Sequence, residues 1–368
     1  MFCGTKSGGS SASPIELLLT AGIDIFHGKW YNTSMNYIGS KFKLSSFIKD
    51  TICSIVGKDL SQRVFCDLFA GTGIVGRTFK TSTKKVIAND CEYYSYVLNK
   101  NYIENHIAIP DKKEYVDELN RLPLIDTGFI YRHYCLGGGS GRQYFSDYNG
   151  KKIDTIRQRI EQWKKTGKIG NNLYYFLSAS LLESADKLAN TASVYGAYLK
   201  HLKKTAQKEL MLEPAEFEVN DNTHEVFNED SNVLVKKIEG DILYLDPPYN
   251  ARQYGANYHM LNTIAKYDDF VPHGKTGLRK YQKSGWCSRS KVEKEFDDLL
   301  KNAQFKYVFL SYNNEGLMPL DIIRKIMSRY GHYDLVITDY QRFKADRDDN
   351  RNHKADKTKE FVHVLERR

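Results

Sequence analysis

Residues 63–76 read RVFCDLFAGTGIVG, and the fold is decided by how this stretch is parsed. Arg63–Phe69 is a short apolar run that ends in a glycine loop, the pattern of a buried strand. Ile74–Lys80 then opens a helix, Lys85–Asn89 (KVIAN) is a second strand, and Tyr93–Asn105 reads as helix. A β-α-β-α run of this kind predicts a parallel, doubly wound sheet. Residues 71–76 satisfy G-x-G-x-x-G, and Asp90 stands 19 residues beyond Gly71 at the end of the second strand. Glycines there let the backbone approach a ligand, and an acid at that distance can hold ribose hydroxyls. The pattern serves NAD and S-adenosylmethionine (SAM) alike. Asp67 inside the loop points toward SAM, which has no pyrophosphate to repel it and carries an ammonium group to pair with it.

Working outward, Ser40 to about Val56 has an amphipathic helical pattern. After about residue 108 the alternation stops. A glycine cluster (Gly137, Gly138, Gly139, Gly141) precedes a basic stretch and a long helical segment, expected over 172–212 with a break at Gly196. Strand character returns at Ile242–Asp246, Tyr307–Ser311, Asp334–Thr338 and Phe361–Leu365. The expectation is one α/β sheet, formed by 35–107 and 216–368 and split by a mainly helical insertion at 108–215. Residues 1–34 read as a disordered extension of little functional weight.

Composition narrows the class. Apolar residues make up 41% of 368, and 3 Trp, 26 Tyr and 18 Phe are enough to build a core, which excludes a disordered chain. There is no apolar run of membrane-spanning length. Six cysteines without a C-x-x-C pair argue against a zinc site or disulfide framework and for reduced, cytoplasmic thiols. The histidines show no metal spacing, and no metal is expected. The net charge of +9 suits a polyanionic partner.

The run ILYLDPPY, residues 242–249, carries the chemistry. Two prolines stop the strand and keep their carbonyls out of any helix. Asp246 can then accept one N–H of an exocyclic amine, the Pro247 carbonyl can accept the other, and Pro248 completes the turn. Tyr249 offers a face on which the ring stacks. An amine so held has its lone pair turned toward an incoming methyl group, so catalysis is mainly positioning.

YIGSK (37–41), then DLFAGTG, an acidic strand end, a long insertion and DPPY: this order resembles the D12 class of adenine-specific DNA N6-methyltransferases, the Dam-like group. The resemblance implies a Rossmann-like SAM-dependent methyltransferase sheet with a mainly helical target-recognition insertion. Tyr37 and Lys41 match the N-terminal cofactor motif, with Y-I-G-S-K where the family usually has W-x-G-G-K. Asp67, Phe69, Gly71 and Gly73 fall in the SAM loop, and Asp90 is the ribose acid. Asp230 resembles the acid that contacts the SAM adenine, although N-E-D before Val233 reads equally as a helix N-cap. Asp246, Pro247, Pro248 and Tyr249 match the catalytic tetrad, and Asp246 also borders the cofactor.

The implied substrate is a specific sequence in double-stranded DNA, with the target base flipped out of the stack. The further implications are a cytoplasmic methylase of a restriction–modification system, a cognate endonuclease acting on the same site, and a monomer or weak dimer. Such an enzyme needs phosphate grips. Residues 151–168 carry seven Lys or Arg against two acids, and residues 273–294 carry seven against Glu293 alone. The first window fits a solvated helix face as well as a DNA contact. The second reads as a phosphate-binding loop through Lys275, Arg279, Lys280, Lys283 and Arg289. Arg142 and Gln143 are candidate base readers in the insertion, or part of a surface loop packed by its aromatics. Arg252 could hold the flipped nucleotide's phosphate or cap the next helix. The rival readings are an N-methyltransferase for RNA or a protein glutamine amide, and an NAD-binding oxidoreductase.

Overall fold

The computed structural model describes residues 41–341 and 357–368. Tyr37 and the expected extension at 1–34 lie outside these residues. Seven strands form one sheet: β1 (Val64–Asp67), β2 (Lys85–Asn89), β3 (Glu225–Phe227), β4 (Glu239–Leu245), β5 (Gln304–Asn313), β6 (Gly331–Gln341) and β7 (Lys357–Arg367). Their order is β3-β2-β1-β4-β5-β7-β6. The first five are mutually parallel, whereas β7 runs antiparallel between β5 and β6. The β-α-β-α run is parallel as read, and the antiparallel β7 is an addition to it. β6 and β7 pair antiparallel, a pairing that needs no crossover helix, and β7 lies in the sheet between β5 and β6. The three-residue edge strand β3 went unrecognised, because EVF is too short to show alternation.

The helices are α1 (Ser45–Val56), α2 (Ile74–Lys80), α3 (Tyr93–Asn99), α4 (Lys112–Arg121), α5 (Phe129–Tyr134), α6 (Asp147–Lys165) and α7 (Asn171–Leu188), followed by α8 (Ser231–Leu234), α9 (Tyr254–Asn257), α10 (His259–Lys266), α11 (Val292–Asn302) and α12 (Leu320–Met327). Alternation along the strands feeds two apolar layers. Phe65, Ile242, Tyr244, Phe309, Val362 and Val364 pack with α1 and α2 on one face. Cys66, Leu243, Leu245, Val308 and Leu310 pack with α8, α11 and α12 on the other. A third cluster joins α4–α7 to α3 and α10, so the helical segment shares its core with helices that flank the sheet.

The helix expected over 172–212 ends at Leu188. Beyond it, Asn190 takes over the backbone's hydrogen bonds. Its amide donates to the Gln143 and Leu199 carbonyls at 2.9 and 3.0 Å and accepts from the Lys203 N–H at 3.0 Å. Small polar residues that bond locally in this way compete with helix. The helix expected over 93–105 is α3 continued by a π-helical segment, Lys100–Glu104.

Candidate active site

β1 and β4 lie side by side and parallel, so Asp67 and Asp246 emerge at the same carboxyl edge of the sheet. Between them opens a pocket lined by the 67–75 loop, Asn89–Glu92, Glu229–Ser231, Asp246, Pro248, Gln253, Ser284 and Trp286. The loop is held open by left-handed backbone at Gly71 (φ +52°) and Gly73 (φ +78°). A Cβ on Gly73 would approach Asn99 Oδ1 to 2.6 Å, and at its positive φ any side chain would be strained. The Gly71 carbonyl accepts from the Ser95 hydroxyl and from Asn99 Nδ2. Asp90 ties the same loop down, accepting from the Gly71 N–H at 2.9 Å and the Glu92 N–H at 2.8 Å.

Asp67 is the informative residue. One carboxyl oxygen accepts from the Gly76 N–H at 3.0 Å. The other is buried and has no hydrogen-bond partner among the described residues. A buried acceptor left unmatched is costly unless a ligand completes it. Burial, with Asp246 and Asp90 adding repulsion against the Gly76 hydrogen bond, pushes the Asp67 carboxyl up to about 8. The pocket lining carries Asp67, Asp90, Glu92, Glu229, Asp230 and Asp246 against Lys41 alone among Lys and Arg. Such a wall favours a cationic ligand and repels a pyrophosphate, which speaks against NAD. These residues fit SAM. With that cofactor bound, Asp67 would face its positive groups and Asp90 its ribose hydroxyls, and Phe69 packs edge-on against Trp286 with centroids 5.1 Å apart to form an aromatic wall. Asp230 both lines the pocket and caps α8, accepting from the N–H groups of Asn232 and Val233.

At the tetrad, Pro247 is buried, while Asp246, Pro248 and Tyr249 are half-buried. Lys41 is buried and places Nζ 3.1 Å from Asp246 Oδ1 and 2.8 Å from Glu360 Oε1. Burial disfavours the ammonium, but the two carboxylates outweigh it and the net effect is to raise its pKa. Burial also pushes Asp246 up to about 6, with Lys41 opposing and Glu360 reinforcing the shift. Lys41 therefore touches the Asp246 carboxylate. Glu360 and Ser311, whose hydroxyl donates to Glu360 Oε1 at 3.0 Å, were missed in the sequence. The available signal was phase. Glu360 falls in step with Val362 and Val364, at a position where the alternation calls for an apolar residue.

Comparison with known proteins decides the family. The model for the D12 class N6 adenine-specific DNA methyltransferases matches residues 37–326. The chain belongs to that family. The Type II methyltransferase M.NlaIII of Neisseria lactamica is 62% identical over 333 residues, covering 90% of this chain and 99% of that protein. M.CviAII of Paramecium bursaria Chlorella virus 1 is 39% identical over 317 residues, covering 84% of this chain and 93% of the relative. M.FokI of Planomicrobium okeanokoites is 37% identical over 326 residues, covering 84% of this chain but 50% of the relative. The protein is thus an adenine-specific DNA methyltransferase.

On the DNA side of this methyltransferase, several expected roles change. Arg142 is half-buried and donates to the carbonyls of His133, Gly274 and Lys275 at 3.0–3.2 Å, bracing the insertion against the 274–277 loop. Three of its five N–H groups are engaged by these carbonyls. Gln143 is half-buried next to it, and the following Tyr144 and Phe145 are core. Arg279 is 7% exposed, pairs with Asp268 at 2.8 Å and lies over the Phe270 ring, so it is not a phosphate grip. Lys275, Lys280, Lys283, Arg289 and Arg252 are exposed and form no ion pair among the described residues. Among those residues, no helix is long and apolar enough to cross a membrane.

Proposed function

We propose that this adenine-specific DNA methyltransferase is the modification enzyme of a Type II restriction–modification system, using SAM to methylate N6 of a flipped adenine within a specific duplex sequence. When bound, SAM supplies the electrophilic methyl group. The protein's own residues supply position and charge. Asp67 and Asp90 hold the cofactor side, with Phe69 and Trp286 packing the wall and Tyr37 and Asp230 as further contacts. Across the pocket, Asp246 accepts one N–H of the adenine amine and the Pro247 carbonyl the other, while Tyr249 stacks on the ring. Holding the amine this way fixes its lone pair, and positioning of that sort can supply several kcal/mol of the barrier, roughly 7–11 in favourable cases. Exposed Lys275, Lys280, Lys283, Arg289 and Arg252 grip phosphates, with Gln143 at the edge of the insertion as a base contact. The insertion at 108–215 serves target recognition. A cytoplasmic monomer or weak dimer, sharing its site with a cognate endonuclease, fits this reading.

The observation that carries the proposal is the buried, unmatched Asp67 oxygen beside the DPPY aspartate in an acid-walled pocket. The test is incubation with tritiated-methyl SAM and mixed DNA, RNA and protein, followed by hydrolysis. Label is expected in N6-methyladenine from duplex DNA. Label confined to RNA or to protein glutamine overturns the reading.

A further inference from the structure

On β7, Glu360 shares a face with Val362 and Val364, yet its carboxylate is 5% exposed among apolar neighbours. A charge in that position is expensive unless it is paired and hydrogen-bonded. Among the described residues, both of its side-chain hydrogen bonds fall on one oxygen. Lys41 Nζ lies 2.8 Å from Oε1 and the Ser311 hydroxyl 3.0 Å from the same atom. The register explains how the group gets there, because Glu360 lies opposite Asn313 at the carboxyl end of β5, beside β4, which runs into Asp246. One ammonium is therefore shared between two carboxylates, and the shorter contact goes to Glu360 rather than to Asp246.

We propose that Glu360 is a positioning residue for methyl transfer: by holding the Lys41 ammonium on its own side, it keeps Asp246 a strong, correctly placed acceptor for the adenine N–H. A lysine paired to Asp246 alone would neutralise that carboxylate and draw it away from the amine. The amine N–H becomes more acidic as nitrogen forms its fourth bond, so the basicity of its acceptor bears directly on the barrier. The titratable groups facing Asp246 are Lys41 from the N-terminal segment, Asp67 from β1, Tyr244 from β4, Tyr249 from the tetrad, Tyr254 from α9 and Glu360 from β7. Of these, Lys41 and Glu360 act on it most strongly and in opposite directions. This inference rests on the reading of Asp246 as the acceptor.

The experiment is the pH dependence of kcat for DNA adenine methylation in four proteins: wild type, Glu360→Gln, Lys41→Met and the double variant. Glu360→Gln removes a charge that raises the Asp246 pKa, so the acid limb is expected to move to lower pH by at least about half a unit. Its plateau kcat should fall about tenfold, with KM for SAM and DNA within about twofold. Lys41→Met leaves two carboxylates facing each other, so one takes up a proton and the limb moves to higher pH. Adding Glu360→Gln to Lys41→Met should bring the limb back down and restore part of the activity at pH 7. A merely structural Glu360 gives no such rescue. Ser311→Ala keeps every charge and loosens Glu360, so a several-fold loss of kcat is expected there; this variant carries the test if Glu360→Gln does not fold. A wild-type limb and plateau in Glu360→Gln, a double variant no better than Lys41→Met, or a wild-type plateau in Ser311→Ala overturns the inference. If wild type puts no methyl group on DNA adenine, the reading of Asp246 fails instead.

Discussion

Residues 151–168 and 273–294 each carry seven Lys or Arg, and the fold treats the two sets in opposite ways. In the first, α6 and the turn after it, every cation has a partner. Lys151 pairs with Asp126, Arg159 and Lys168 with Glu118, and Lys165 with Glu161. Lys164 bonds the Asn171 side chain, and buried Lys152 donates to the Leu119, Asn120 and Leu122 carbonyls. Arg157, 3% exposed, binds Glu161 and the carbonyls of Ile264 and Ala265. In the second window, Arg279 is buried and pairs with Asp268 through Nη2, while Lys275, Lys280, Lys283 and Arg289 are exposed and form no ion pair among the described residues. Charge density alone does not mark a DNA surface. Unpartnered charge is what leaves the second window available for the phosphate contacts proposed above.

The sharpest way to break this comparison is to neutralise Lys275, Lys280, Lys283 and Arg289 together. About a thousandfold loss of DNA affinity near 0.1 M salt is expected, with the log–log salt slope shallower by about 3–4. Affinity for SAM should stay within about twofold. Retention of the wild-type slope in a fluorescence-anisotropy salt titration would remove the loop from the interface.

Arg157→Met tests the other side. It orphans two buried carbonyls and removes the nearest cation from Glu161, so a stability loss of about 3 kcal/mol in denaturant melts is expected. The salt slope of the folded fraction should not change.

The same logic applied to acids predicts a role for the unmatched oxygen of Asp67. With its carboxyl at about 8, Asp67 is largely protonated in the free protein at pH 7. A bound cation favours the ionised form and lowers that pKa, so binding should release a proton, and affinity should rise as pH climbs toward 8. Calorimetry at pH 7 in two buffers of different ionisation enthalpy should show release approaching one proton per site. Asp67→Asn should abolish it and weaken binding about tenfold. Equal proton release by both proteins would place the cation elsewhere.

The smallest effect is expected from replacing Lys151, Arg159, Lys164 and Lys165 by Gln. Their contacts lie at the surface and are screened by solvent, so little stability is lost and the salt slope should change by less than about 1. A change as large as that from the loop would erase the contrast between the windows.

What was legible in the sequence follows from the range of the interactions involved. The 67–76 loop and DPPY announce themselves because glycine conformations and proline stops are local. So do β1, β2, β4 and β5, whose apolar runs lie between clear breaks. The antiparallel insertion of β7 could not be read, since nothing in FVHVL distinguishes a parallel neighbour from an antiparallel one. Arg142 and Arg279 looked like DNA contacts because their partners, the 274–275 carbonyls and Asp268, are supplied by tertiary structure. Asp230 turned out to serve the helix-cap role and to line the pocket as well. Glu360 was missed for the same reason as Arg142. Its partners Lys41 and Ser311 lie 319 and 49 residues away along the chain.

The central claim is that Asp246 orients the target amine at the edge of an acid-walled cofactor pocket. Single-turnover methylation of duplex DNA, with SAM and DNA both saturating, isolates that step. Wild type is expected to form N6-methyladenine, and Asp246→Ala to form it at least about a thousandfold more slowly while still binding SAM. A chemical step in Asp246→Ala within tenfold of wild type would contradict the account.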